Sequence, residues 1–269
     1  MKLNKKRSYV EKDLIAPAQR DGIDLDKGVI LTHDYLAENE ADFQKWANFF
    51  TAYPDLFLDL IAPADSNFTL FFYQRITLRA LMRFKDVYIT APRAFSKTFI
   101  TILALILQCI FMPGRKVFIC APKKGQSAQI AKEKIVEIYD RWPLLKKEIV
   151  GNELKEDPGN FGKDYVTLKF RNGSQFDIVA PLDSQRGGRR HGGLIDESRD
   201  HEEIPINEIV LPLLNVSRRL SDNSVNPREP NQQVIYMTSA GTKTSFAYDK
   251  LLDDFENSVV DPDHAFVFG

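Results

Sequence analysis

Cysteine is scarce in this 269-residue sequence: there are two, Cys109 and Cys120, and neither stands in a paired or metal-ligand spacing. Both sit inside apolar runs, which reads as buried free thiols in a reducing compartment and excludes a disulfide scaffold. Long hydrophobic runs are lacking as well. The longest, Phe99 to Met112, is interrupted by Gln108 and falls short of the roughly 20 residues that cross a bilayer. The basic start (Lys2, Lys5, Lys6, Arg7) has no apolar core behind it, so it does not read as a secretory signal. A surplus of one charge is also missing. Lys plus Arg is 36 against 37 for Asp plus Glu, so attraction to a polyanion can only be local. No repeat or low-complexity tract stands out. What remains is an ordinary globular composition, 43% hydrophobic and 27% charged, in a chain long enough for one large core and a small appended module.

The charge is unevenly spread. Residues 1–20 carry six bases against two acids, and residues 21–65 reverse the balance with Asp21, Asp24, Asp26 and Asp34 against Lys27 and Lys45. A second basic knot, Arg186, Arg189 and Arg190, lies in a glycine-rich stretch. The first 65 residues read as helical and carry no evident chemistry. Phe43, Trp46, Ala47 and Phe50 fall on one helical face, and a short helix over 55–61 is ended by Pro63.

From residue 68 the texture changes. A helix is predicted over 68–84, then a short β-type run, Val87 to Thr90, then a long apolar helix over 97–112 stopped by Pro113-Gly114. A strand over 116–121 and an amphipathic helix over 127–139 follow. Two strands around Arg171-Asn172-Gly173-Ser174 give a hairpin signal. Another apolar strand ends in Asp196-Glu197. A helix is predicted near 206–220, a last strand over 233–237 and a closing helix over 244–255. Uniformly apolar strands alternating with helices argue for an α/β fold, doubly wound, with a mostly parallel sheet buried on both faces.

The chemistry-bearing residues fall at the joints of this pattern. Ala91-Pro92-Arg93-Ala94-Phe95-Ser96-Lys97-Thr98 matches the end of a phosphate-binding loop but lacks both glycines. Alone, a Lys-Thr pair at a helix start says little. Its place between a strand and a long helix says more, because loop N–H groups and the helix N-terminus there favour an anion. Lys97 could reach phosphate oxygens, the Thr98 hydroxyl could ligate Mg²⁺, and Arg93 adds a cation. About a hundred residues later, Asp196 and Glu197 close a strand at the edge where ligands of parallel sheets bind. Asp196 suits a metal ligand and Glu197 a base that activates water. Tyr73 and Gln74 could stack on and read an adenine. Thr238, Ser239 and Ala240 end the last strand. Arg186, beside Gly187, suits an arginine supplied to a neighbour's nucleotide.

In this order the elements resemble the large subunit of tailed-bacteriophage terminases, over about residues 68–255. The resemblance implies a P-loop NTPase of the type with an additional strand and a catalytic glutamate, preceded by a helical extension. It implies a helical segment over 1–65, the ATPase domain over 66–255 and the start of a linker over 256–269. Tyr73, Gln74, Arg93, Ala94, Phe95, Ser96, Lys97 and Thr98 would bind ATP; Thr98 and Asp196 would hold Mg²⁺. Glu197, Arg186 and Arg93 would be catalytic, with Arg186 acting between subunits, and Thr238, Ser239 and Ala240 would couple hydrolysis to movement. The implied partners are double-stranded DNA, the terminase small subunit, the portal protein and further copies in a ring, with a monomer when isolated, no membrane, and the host bacterial cytoplasm as the setting.

Two departures qualify the match. Ser96 stands where most relatives have glycine, which suits the loop only if its backbone keeps a negative φ. The chain also has no room after residue 241 for the nuclease half of such a subunit, so the ATPase portion alone is expected. Two other readings stay open: a helicase-like ATPase of another family, and a non-hydrolysing interaction module with a degenerate loop.

Overall fold

A computed structural model describes residues 39–150, 158–182 and 188–269. The chain divides into two units, residues 1–49 and 50–269. Helix α1 (Glu40–Ala52) forms where the apolar spacing predicts it, and none of its residues is buried.

The second unit is built on eight strands: β1 (Asp86–Thr90), β2 (Lys116–Cys120), β3 (Asn160–Phe161), β4 (Val166–Lys169), β5 (Gln175–Val179), β6 (Gly192–Asp196), β7 (Gln233–Thr238) and β8 (Ala265–Phe268). Their order is β3-β4-β5-β2-β6-β7-β1-β8. The six from β5 to β8 run parallel, and β3 and β4 add an antiparallel edge. The additional strand is β7, inserted between β1 and β6. Successive side chains of each strand serve opposite faces. Val87, Ile89, Val117, Ile119, Leu194, Ile235 and Met237 join one apolar layer. Tyr88, Phe118, Cys120, Ile195 and Tyr236 join the other. This double burial is why the strands read as unbroken apolar runs.

The first layer is covered by α2 (Pro54–Ile61), α3 (Phe72–Arg83), α4 (Lys97–Phe111) and α5 (Lys124–Arg141). Helix α4 is buried on every side from Phe99 to Cys109, as its composition requires. Gln108, the polar break in its sequence, centres a buried network. Its amide donates to the Leu81 carbonyl and to Gln233 Oε1, both at 2.8 Å, and its oxygen accepts from Arg115 Nε at 2.8 Å. Helix α2 is pinned by Asp55, which is fully buried yet held below the usual carboxylate range. Burial opposes its charge, but the guanidiniums of Arg79 and Arg75, at 2.7 and 3.2 Å, outweigh it.

Several elements differ from expectation. Helix α3 starts at Phe72, four residues later than the pattern suggested, because Gln74 Oε1 accepts the Phe71 N–H at 2.9 Å and fixes the N-terminus there. Phe68 instead packs edge-on against Trp142 at 5.6 Å, with the Arg141 guanidinium 3.7 Å over its ring. The helix expected over 206–220 becomes short irregular turns from Glu203 to Leu214. Pro212 has no N–H for the carbonyl four residues back, which breaks the ladder. The closing helix α6 (Phe246–Val260) runs further than its pattern suggested. Residues read as the start of a linker carry the end of α6 and strand β8, which pairs parallel to β1. No helix among the described residues is long and apolar enough to cross a membrane.

Helix α6 buries one carboxylate that pairs directly with no cation among the described residues. Asp254 is 5% exposed, and its Oδ2 has no hydrogen-bond partner among the described residues. Burial, then the charges of Asp86 and Asp253, push its pKa up to about 7 against the pull of Lys250. The folded chain thus keeps a proton between about pH 4 and 7 that the unfolded chain has released, so stability falls as pH rises through that window. Asp254→Asn should leave melting at pH 4.5 nearly unchanged and raise stability at pH 8 by on the order of 2–3 kcal/mol. Equal effects at both pH values would show that the carboxylate is not the cause.

Candidate active site

Three parallel strands end side by side. Register pairs Thr90 of β1 with Thr238 of β7, and Met237 of β7 with Asp196 of β6. The Ala91 N–H donates to the Thr238 carbonyl at 3.2 Å and extends that pairing into the loop. Chain segments leaving these ends therefore meet over one edge of the sheet, where ligands of such folds bind.

The loop from Ala91 to Ser96 joins β1 to α4. Pro92, Arg93, Ala94 and Ser96 are exposed, and Phe95, Lys97 and Thr98 are half-buried. Ala94 (φ 67°) and Ser96 (φ 57°) are both left-handed. The condition set for Ser96, a negative φ, is therefore not met. Ser96 is followed by the right-handed first residue of α4, an alternation that curls backbone N–H groups around an anion. Holding a Cβ there costs about 1 kcal/mol or slightly more. Ser96→Gly should therefore leave stability level or raise it by up to about 1 kcal/mol, and Ser96→Val should lower it by about 1–2 kcal/mol. Denaturant melts decide; equal losses for both would mean that the left-handed backbone is not maintained in solution.

Lys97, the first residue of α4, reaches across to the residue that follows β7, where its Nζ donates to Ser239 Oγ at 3.2 Å. Facing it at the end of β6 is Asp196, 1% exposed, whose Oδ1 accepts the Glu197 N–H at 2.9 Å. Burial, then the neighbouring Glu197 charge, push the Asp196 pKa up to about 7, and the Lys97 ammonium is close enough to pull against both. Glu197 itself is left-handed (φ 47°), and its Oε2 is buried with no partner among the described residues. A strained acid with an unsatisfied oxygen beside a buried acid is the kind of outlier found at functional sites.

The other predicted residues distribute as follows. Tyr73 lies against the loop, its ring 4.2 Å from that of Phe95 and 5.8 Å from that of Phe71. Gln74 is 3% exposed, and its Oε1 accepts the Phe71 N–H at the α3 N-terminus. Thr238 is buried and donates to the Ser239 carbonyl, whereas Ala240 is exposed. Arg186 lies outside the described residues. Of its neighbours, Arg190 is committed to Asp177 of β5 through a two-pronged ion pair, and Arg189 is exposed.

Sequence reasoning missed two side chains. His201 is buried, and its Nε2 lies 3.0 Å from the Asp196 carbonyl, bracing the backbone behind the acid; burial lowers its pKa. Arg199 donates to the Ala240 carbonyl at 3.0 Å. The only sequence signal for either was closeness to Glu197.

No protein-family model and no curated protein matches the sequence. Solved structures do resemble the chain. The HK97 bacteriophage large terminase aligns at a TM-score of 0.56 and 13% identity, over 81% of this chain and 43% of that one. The chain thus spans less than half of the HK97 protein's length. The large terminase ATPase domain of Thermus phage P74-26 aligns at a TM-score of 0.52 and 15% identity, over 80% of this chain and 85% of that domain. Strand order and these two alignments agree: this chain has the fold of a phage large-terminase ATPase domain.

Proposed function

We propose that the chain hydrolyses ATP with Mg²⁺ and that hydrolysis drives double-stranded DNA into a procapsid. The observation that carries this reading is the convergence of Lys97 and the Asp196-Glu197 pair on the two sides of β7. An ammonium and a helix N-terminus facing two carboxylates form a site for a triphosphate and its metal.

In this reading the loop N–H groups and Lys97 hold the phosphates, and Arg93, exposed at the loop tip, adds a cation. Tyr73, its ring beside that of Phe95, and Gln74 would meet the adenine. The donor set fits magnesium: Asp196 is a buried carboxylate short of counter-charge, and the Thr98 hydroxyl is a second hard oxygen in the first turn of α4. When bound, Mg²⁺ offsets charge on the phosphate oxygens. Glu197, with its unpartnered Oε2, orients the attacking water and takes its proton. Ser239, already in contact with Lys97, senses whether that ammonium is engaged elsewhere and passes the change along Thr238 to Ala240. Arg186 is supplied to a neighbouring copy in a ring around DNA, with the small subunit and the portal as further partners in the host bacterial cytoplasm.

The interaction-module reading draws on the two left-handed, Cβ-bearing loop residues. It predicts no phosphate release under any condition. The test is steady-state phosphate release with and without double-stranded DNA, by Arg186→Ala and Glu197→Gln chains alone and mixed. Each alone should be nearly inert. A mixture should recover activity, because intact sites then receive arginines from their neighbours. Wild type that releases no phosphate would favour the interaction module; active wild type with no recovery in the mixture would place the arginine within its own subunit.

A further inference from the structure

The strand end after β7 is held from two directions. From the loop side, Lys97 Nζ binds Ser239 Oγ at 3.2 Å. From the acidic side, Arg199 Nη1 binds the Ala240 carbonyl at 3.0 Å. Consecutive residues of one segment thus bind two cations that belong to opposite walls of the site. The Arg199 stem also lies along Gly241, where an added Cβ would sit 3.5 Å from both its Cβ and its Cδ. Arg199 belongs to the short helical turn Ser198–Asp200, which opens directly on the left-handed Glu197. That turn is otherwise tied back by the His201 contact to the Asp196 carbonyl and by an Asp200 N–H to the Glu197 carbonyl at 2.9 Å. Among the described residues, the Arg199 guanidinium is the side chain that hydrogen-bonds this turn to the β7 end.

From this geometry we infer that Arg199 is a positioning residue that binds the glutamate-bearing turn to the 239–241 segment, so that the two move as one unit when Lys97 leaves Ser239 for a phosphate. The inference rests on the proposed ATP site. The Ala240 carbonyl is at the surface, and the Arg199 Nε also lies 3.4 Å from Asp200 Oδ1 of its own turn, an exposed ion pair that contributes little. A charge-assisted bond to a main-chain carbonyl, made by a stem packed on a glycine, fixes direction as well as distance. Because Arg199 touches neither the phosphate loop nor the adenine end, its loss should spare nucleotide binding. The left-handed backbone of Glu197 would lose a support, so turnover should suffer.

The test compares Arg199→Ala and Arg199→Lys with wild type in the full chain by amide hydrogen exchange, by the affinity for a fluorescent non-hydrolysable ATP analogue with Mg²⁺, and by kcat and KM. In Arg199→Ala, exchange at 197–201 and 239–242 should rise together by about tenfold or more, with the rest of the sheet unchanged. Affinity and KM should stay within about threefold while kcat falls at least about tenfold. Arg199→Lys, which can still donate to the carbonyl, should restore most of the exchange pattern. A rise in only one segment or in neither, or a parallel loss of affinity, overturns the inference. If wild type itself fails to bind the analogue, the ATP reading fails, and the exchange arm still decides whether the tether exists.

Discussion

Lys97→Ala is expected to abolish nucleotide binding while leaving the fold intact. The ammonium is the fixed cation at the phosphate end, and each charge-assisted bond it makes to a phosphate oxygen contributes about 1.5–3 kcal/mol. Two such bonds lost amount to a drop in affinity of at least about a hundredfold. The same residue contributes little to folding. Its described side-chain partner is Ser239 Oγ, and a cation in the first turn of α4 opposes the helix dipole. Thermal stability should therefore stay level or rise slightly. Titration with a fluorescent ATP analogue, alongside a melt, separates the two. Retained affinity would remove Lys97 from the site, and a collapse in stability would make the substitution uninformative about binding. Lys97→Met, which keeps the aliphatic stem, covers that second outcome.

Glu197→Gln should do the opposite. The amide keeps the shape and the left-handed backbone but cannot take a proton, and a general base contributes about 10² to 10⁴ in rate. Turnover should fall at least a thousandfold if the glutamate also orients the water. Affinity should hold or tighten, because the Glu197 charge is one of the causes that push the Asp196 pKa up. With that charge gone, Asp196 ionises more readily, which favours a metal at neutral pH. Pre-steady-state phosphate release together with equilibrium binding reads both effects. Undiminished turnover would assign the base elsewhere.

How much of this was visible in the sequence differs by element. The β1–α4 joint was legible because its strand is short and apolar, its helix is continuously apolar, and Lys97-Thr98 sits between them. The end of β6 was legible because two acids, Asp196 and Glu197, follow the run Gly192 to Ile195, all of it buried. The insertion of β7 between β1 and β6 is a statement about spatial order, which periodicity does not encode; it followed from the resemblance. The φ of Ser96 was not legible, because serine argues against a left-handed residue and the loop overrides that preference. The helix near 206–220 was overextended because Leu, Ile and Val fell at helical spacing while Pro205 and Pro212 were discounted. Strand β8 was missed because a four-residue apolar run near the end of the sequence has no pattern of its own until β1 pairs with it. Arg199 could not have been found, since its carbonyl partner lies 41 residues away and main-chain acceptors leave no sequence signature.

A crystal structure of the chain with a non-hydrolysable ATP analogue and Mg²⁺ bears most directly on all of this. It should show the Lys97 ammonium on the terminal phosphates and released from Ser239, the metal at Thr98 and Asp196, and the Glu197 carboxylate aimed at the last phosphorus. A nucleotide bound away from the β1–α4 loop, or a Lys97 still seated on Ser239 beside a filled site, would contradict it.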